Sequence, residues 1–209
     1  MTTESVAMAM GMGLPVPTTL RIAPGHTVLL DAASLERSSM ELSHCLSVAQ
    51  GLLRVAVSGP DVEALDSTSI TLGFLQAGDQ LPLDLLRRSR FHLEALTPVR
   101  LEEGGGLLPP EGATSLHDWT VALLLIRHLG EAEQRLAALL QLLVERLGHR
   151  CGDWYELPLH LSHQRLAELV GHTRVTVTRQ LSKWRQAGLV AGDTNAQGGL
   201  RLAPDLVEA

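Results

Sequence analysis

The chain has 209 residues, of which 45% are hydrophobic, 19% are charged and only 3% are aromatic. This composition excludes a disordered or collagen-like chain, and no apolar run approaches the roughly 20 residues of a membrane-spanning helix. The formal net charge of −6 excludes a general polyanion binder, and two cysteines, Cys45 and Cys151, are too few for a disulfide scaffold. We therefore expect a cytoplasmic protein without a membrane segment.

The N-terminal half is predicted to form β-structure. Residues 1–18 show no apolar period, so we expect a flexible leader there. Residues 19–110 contain short apolar segments that end at turn signals about every ten residues, which is typical of a small antiparallel barrel or roll. These predicted strands are Val28–Leu30, Leu46–Val48, Leu52–Val57, Ile70–Leu75, Phe91–Leu96 and Val99–Leu101.

Residues 111–150 are predicted to be helical. Leu116, Trp119, Leu123 and Ile126 recur at intervals of three and four residues, which predicts a helix over about 114–130. Such a narrow stripe is typical of a coiled-coil seam between subunits, although a helix packed in its own core gives the same pattern. A second apolar stripe predicts another helix that ends at Gly148.

Residues 151–209 carry the most specific signal. Ser162 can cap a helix that runs through Val170, Gly171 can end that helix, and Thr173 can cap a second helix to about Ala187. A short helix, a glycine turn and a longer basic helix form the helix-turn-helix pattern. The window 158–190 holds five basic residues against one acid, a net +4, which leaves −10 for the rest of the chain.

The second helix of this pattern has two different faces. At about 100° per residue, Val177, Leu181 and Trp184 fall on one stripe, which we expect to be buried. The opposite edge carries Arg174, Val175 and Arg179. Arginine can form a bidentate pair with guanine in the major groove, and an apolar side chain can contact the thymine methyl group.

Further residues of this region are suited to the DNA backbone, because hydroxyl and cationic side chains bind phosphates. After Val190, a glycine-rich turn followed by alternating Leu200 and Leu202 predicts a β-wing. The alternative for the arginines is an ordinary surface ion pair, for which Glu168 is the one acid inside the motif. The predicted phosphate contacts are Ser162, His163, Thr173, Thr176, Thr178, Lys183 and Arg201.

The segment LSHQRLAELVGHTRVTVTRQLSKWRQAGLV resembles the C-terminal domain of the Crp/Fnr superfamily of bacterial transcription regulators, most closely its cyanobacterial nitrogen-regulator branch. The segment ALTPVRL (Ala95–Leu101) is similar to the end of the sensor roll in that branch. The resemblance implies an α+β fold with three parts. These are a shortened N-terminal antiparallel β-roll of the cyclic-nucleotide-binding type, a long dimerisation helix, and a C-terminal winged helix-turn-helix over 151–209.

The resemblance also implies partners and site residues. It implies a homodimer on palindromic double-stranded DNA, with recognition helices about 34 Å apart, and contact with RNA polymerase. Arg174, Val175 and Arg179 take the base-reading positions, which suggests a GTA-type half-site. The dimer seam follows the long helix through Leu116, Trp119, Leu123 and Ile126.

The sensor half departs from the family pattern. Gly78–Asp79 opens a shortened phosphate cassette whose glutamate is replaced, so a cyclic nucleotide is not expected and no cofactor is predicted. Two alternatives for the effector stay open. One is a small acid of the 2-oxoglutarate type held by Arg88, Arg90 and Arg127, and the other is that no effector binds. The nine histidines lack metal-ligand spacing, and no catalytic set is recognisable. The rival hypothesis is a protein-interaction module with a degenerate roll and only secondary DNA binding.

Overall fold

The computed structural model describes residues 19–30, 45–58, 69–83, 90–103, 115–192 and 199–208. The predicted leader at 1–18, the effector candidate Arg88 and the tip of the predicted wing lie outside these ranges. The chain divides into two compact units, residues 1–120 and residues 121–209. The predicted domain limits at 110/111 and 150/151 stay predictions.

The N-terminal unit contains two antiparallel sheets. One has the strand order β1-β8-β3-β6 and the other β2-β7-β4-β5. Every predicted strand is present within them. The bounds are β1 Thr19–Ile22, β2 Thr27–Leu30, β3 Cys45–Gln50, β4 Leu52–Ser58, β5 Ile70–Gln76, β6 Gln80–Pro82, β7 Arg90–Ala95 and β8 Val99–Glu103.

An apolar core joins the two sheets. Leu53, Val55 and Leu93 of one sheet and Leu81 and Leu101 of the other have no solvent exposure and belong to one hydrophobic cluster. Side chains alternate between the faces of a strand, so the even positions of β4 point away from this cluster. The side chains of this cluster are aliphatic except for Phe91.

Helix α1, Leu116–His128, starts against the second sheet. The Ser115 hydroxyl accepts a hydrogen bond from the backbone N–H of Asp118 and donates one to its carboxylate, which caps the helix. Trp119 then packs edge-on against Phe74 of β5, with ring centroids 5.3 Å apart. Gly73 permits this approach, because a Cβ atom there would lie only 2.4 Å from the Trp119 Cβ.

The C-terminal unit combines helices with a third antiparallel sheet of order β11-β12-β10-β9. Its elements surround the predicted helix-turn-helix, and together with the roll they confirm the α+β class. The bounds are α2 Ala132–Leu147, β9 His149–Cys151, β10 Trp154–Leu157, α3 His163–Val170, α4 Arg174–Gln186, β11 Val190–Ala191, β12 Leu200–Leu202 and α5 Pro204–Val207.

The hairpin of β9 and β10 is an addition to the predicted elements. Its turn is formed by Gly152 at φ +62°. The Tyr155 hydroxyl donates a hydrogen bond to the Glu208 carboxylate, and this bond raises the pKa of Tyr155. The C-terminal end of the chain is thereby attached to the hairpin.

Candidate nucleic-acid interface

Local capping fixes the ends of both motif helices. The Ser162 side chain accepts a hydrogen bond from the N–H of Arg165 at 3.2 Å, and the Thr173 side chain accepts one from the N–H of Thr176 at 3.2 Å. Gly171 ends α3 in the left-handed conformation, at φ +68°. Both N-caps and the glycine turn stand where the sequence predicts them.

The inner face of α4 is anchored in the C-terminal unit. Val177, Leu181 and Trp184 are buried, as their spacing predicts. The Nδ1 atom of His163 on α3 lies 2.8 Å from the Oγ1 atom of Thr178 on α4, which is a hydrogen bond between the two motif helices. Packing and this hydrogen bond together fix the rotation of α4 about its axis.

The outer edge of α4 is open. Arg174 and Arg179 are exposed, and Val175 between them is 77% exposed. Within the described residues neither arginine forms a hydrogen bond or an ion pair, because Glu168 pairs with Arg165 at 2.6 Å instead. We call the surface of Arg174, Val175 and Arg179 the reading edge.

The predicted phosphate contacts have partners inside the protein. Lys183 forms an ion pair with Glu133 of α2, with the Nζ atom 3.0 Å from Oε2. The hydrogen bond from Lys183 lowers the pKa of the Glu133 carboxyl. The guanidinium of Arg201 lies over the ring of Trp154, 5.7 Å from its centroid. These contacts fix the positions of the Lys183 and Arg201 side chains. Their roles at DNA phosphates stay predictions.

The hydroxyl groups of the motif are also engaged. Those of Thr173 and Thr176 lie 2.9 Å apart, and that of Thr178 pairs with His163. A hydroxyl that accepts one hydrogen bond can still donate another to a phosphate. The structure thus leaves these residues able to bind the DNA backbone.

The predicted dimer seam needs correction. Leu116, Trp119, Leu123 and Ile126 are all buried in the single chain, so they have no surface left for a second subunit. The exposed apolar side chains of α1 lie on the other side of the helix. They are Val121, Leu124 and Leu125, with Leu129 just after the helix end. We call these four residues the α1 stripe.

Two of the predicted effector residues lie within the described part of the chain, Arg90 and Arg127. Arg90 begins β7 in the roll. Arg127 donates hydrogen bonds to the backbone carbonyls of Glu168 and Leu169, at the C-terminal end of α3. A cation at a helix C-terminus stabilises its unpaired carbonyls. The structure therefore gives Arg127 a structural contact with α3, and its role toward an acid ligand stays a prediction.

Two family models match this chain. One is described as a Crp-like helix-turn-helix domain and matches residues 134–202, and the other is described as the cyanobacterial CRP family N-terminal domain and matches residues 20–111. The regulatory protein CysR of Synechococcus elongatus is 34% identical over 148 residues, which cover 68% of this chain and 69% of CysR. The chain belongs to the Crp/Fnr family of transcription regulators.

Other Crp/Fnr proteins resemble parts of this chain or its fold. The global nitrogen regulator of Nostoc sp. is 42% identical over 57 residues, which cover 27% of this chain and 26% of that regulator. A Crp/Fnr-family regulator from Thermus thermophilus has the same fold, with a TM-score of 0.61 at 21% identity over 91% of this chain and 98% of that one. These homologues are transcription regulators and not enzymes, which confirms the predicted class.

Membrane-spanning helices and metal-binding clusters are both absent from the residues that the structure describes. No helix among them has the length and apolar character needed to cross a membrane. No group of three or more His, Cys, Asp or Glu side chains in that part of the chain is arranged to hold a metal ion.

Proposed function

We propose that this Crp/Fnr regulator binds a palindromic operator as a homodimer and reads each half-site with the reading edge of α4. The single observation that supports this most strongly is the exposure of Arg174, Val175 and Arg179 above a buried Val177–Leu181–Trp184 face. Exposed guanidinium groups without ion-pair partners can form the bidentate contacts that guanine offers. The apolar Val175 suits a thymine methyl group, so a GTA-type half-site is the proposed target.

The α1 stripe is the proposed dimer seam. Leu124 and Leu125 are 56% and 63% exposed, and Val121 precedes them by one helical turn. Exposed leucines in a row on one helix mark a protein–protein contact. A second copy of the chain is the proposed occupant, because a two-fold operator requires two reading edges related by the same symmetry.

The proposal includes a cellular setting. The regulator acts in the cytoplasm, where it meets double-stranded DNA and RNA polymerase. No cyclic nucleotide is included, because the Asp79 carboxylate, which replaces the glutamate of the family cassette, accepts a hydrogen bond from the N–H of Gln76 at 2.8 Å within the β5–β6 turn. A small acid effector remains compatible with this scheme but is not needed for it.

The test is a binding titration with two labelled duplexes over a series of salt concentrations. One duplex carries two GTA half-sites centred about one helical turn apart, and the other has the same base composition in scrambled order. We expect the palindrome to bind about a thousandfold more tightly, with an affinity that falls steeply with salt. Equal affinity for both duplexes would favour the protein-interaction module over a sequence-specific regulator.

Two matched variants separate reading from backbone contact. Arg174→Ala should cost about 1–3 kcal/mol on the palindrome and relax selectivity at one base pair. Lys183→Ala, which removes the same charge from α4 away from the reading edge, should weaken both duplexes equally. Unchanged selectivity in Arg174→Ala would show that α4 does not present this residue to the bases.

A further inference from the structure

An open cleft lies in the roll, at the end of the sheet that contains β1, β3 and β8. Its volume is about 450 Å³, within the range of sites that bind small molecules. Arg21 and Arg100 supply its charge, and the remaining lining is mostly apolar. The lining residues are Arg21, Ile22, Ala23, Gln50, Pro98, Val99 and Arg100.

The two arginines of the cleft lie side by side. Arg21 of β1 is directly opposite Arg100 of β8 in the antiparallel register, a position where Cβ atoms are about 4.5–5.5 Å apart. Like charges at this spacing destabilise a sheet unless something between them compensates. The Glu102 carboxylate, 3.2 Å from Arg100, can compensate one of the two charges, which leaves one positive charge in excess.

The hydrogen-bonding capacity of the pair is only partly used. Within the described residues, Arg21 forms no hydrogen bond or ion pair. Arg100 contacts Glu102 through Nη1 at 3.2 Å, and its Nε atom is buried without a hydrogen-bond partner among those residues. Buried donors in native proteins almost always have partners. Two cations thus line the cleft, one of them paired with Glu102 beside it, and the Nε donor of Arg100 is left without a partner among the described residues.

The wall of the cleft at Pro98 is held in place. Gly51 adopts φ +91°, and a Cβ atom there would lie 2.2 Å from the Pro98 carbonyl oxygen, so only glycine permits this approach. The N–H of Leu52 donates to the Thr97 hydroxyl at 2.8 Å on the same turn. These contacts make the wall a fixed part of the roll.

A β-bulge in β3 places the Gln50 amide beside the cleft. The pairing of β3 with β8 shifts between Val48 and Gln50, which sets Gln50 opposite Arg100. Bulges of this kind redirect a side chain and are frequent beside binding sites. The Gln50 amide is therefore placed next to Arg100, on the face of the sheet that carries the two arginines.

We propose that this cleft binds a small organic anion through its carboxylate or phosphate group. Arg21 and Arg100 donate to that group from neighbouring strands, because guanidinium forks match the oxygens of both anions. Gln50 contacts the same group, and the carbon skeleton of the ligand lies against Pro98. This site is independent of the reading edge, and its residues differ from the effector candidates that the sequence suggests.

The test is an NMR titration of the full-length protein with succinate and, separately, inorganic phosphate. Ionic strength is kept constant with sodium chloride, and the signal followed is the Nε–Hε resonance of Arg100, assigned with Arg100→Gln. We expect a saturable shift at millimolar concentrations of at least one probe. Arg21→Gln, at an exposed residue, should weaken binding about tenfold or more, whereas Arg150→Gln in the C-terminal unit should leave it unchanged.

Three results would overturn the proposal. One is the absence of a saturable shift with either probe at constant ionic strength. Another is an unchanged affinity in Arg21→Gln, which would mean that the anion binds elsewhere. The third comes from a further titration with a glutamate-rich peptide: a shift with this peptide and with neither small anion would make the cleft a contact for an acidic protein segment. These results do not depend on the outcome of the DNA-binding tests, because the NMR titration contains no DNA.

Discussion

The α1 stripe can be tested with a single charge. Leu125 is 63% exposed in the single chain and lies near the centre of the exposed arc of α1. Leu125→Glu places a carboxylate there on each subunit, so that two like charges meet near the symmetry axis. The variant should dissociate the dimer without unfolding the subunit, because the side chain does not contribute to the buried core.

The magnitude follows from the exposed area. Complete burial of a leucine contributes about 1.5–3 kcal/mol, so burial of the 63% that is exposed contributes about 1–2 kcal/mol for each subunit. The dimer therefore loses about 2–4 kcal/mol, before any charge repulsion is counted. At 1.4 kcal/mol for each factor of ten, the dissociation constant should rise roughly 30-fold to several hundredfold.

The assay is sedimentation equilibrium combined with circular dichroism. If the α1 stripe is the seam as proposed, Leu125→Glu should give a folded monomer at concentrations where the unsubstituted protein sediments as a dimer. Gln141→Glu adds the same charge at an exposed position of α2 and should stay dimeric. Leu123→Glu should instead lose its fold, because Leu123 is only 5% exposed. A Leu125→Glu protein that dimerises with unchanged affinity would refute the assignment of the seam.

Three further predictions concern stability. Gly73→Ala should lower unfolding stability by about 1–3 kcal/mol in urea titrations, because its Cβ would clash with Trp119 at 2.4 Å, whereas Gly130→Ala, with no atom within 4 Å of the new Cβ, should not; equal effects would contradict this packing. Arg127→Gln should cost about 1 kcal/mol and speed amide hydrogen exchange at the end of α3, and unchanged exchange would refute the carbonyl contact. Glu133→Gln should reduce stability by less than about 1 kcal/mol at pH 7, since the ion pair is exposed. The pKa of Glu133 is lowered from 4.5 in the folded state, so this contribution exists above that pH and disappears as the pH falls through the folded value; a thermal shift that is the same at pH 7 and at pH 3 would contradict it.

The helix-turn-helix was predictable because its signals are local. Ser162, Gly171 and Thr173 act within four residues of themselves, so their roles can be recognised without knowledge of the tertiary structure. The period of Val177, Leu181 and Trp184 defines the buried face in the same way. The reading edge then follows, since the opposite face of a packed helix must be exposed.

The sequence is least informative where the outcome depends on residues far apart in the chain. Helix α1 is apolar on two sides, and its sequence alone does not determine which side packs in its own subunit. The ion pair of Lys183 with Glu133 joins residues 50 positions apart, and the contacts of Arg127 with α3 span more than 40. Strands β9 and β10 have only three and four residues, which is too short to show a clear hydrophobic period. They are defined by the pairing of β10 with β9 and with β12.

The pairing of β10 with β12 has a consequence for the evolution of such regulators. The strand that precedes the helix-turn-helix, β10, and the strand that follows the wing region, β12, are hydrogen-bonded neighbours, with Tyr155 opposite Leu202. Neighbouring strands lie about 4.8 Å apart, so the whole DNA-binding segment starts and finishes at almost one point in space. A segment closed in this way can be exchanged between proteins by recombination without stretching either junction, so one operator specificity can be joined to many different sensors.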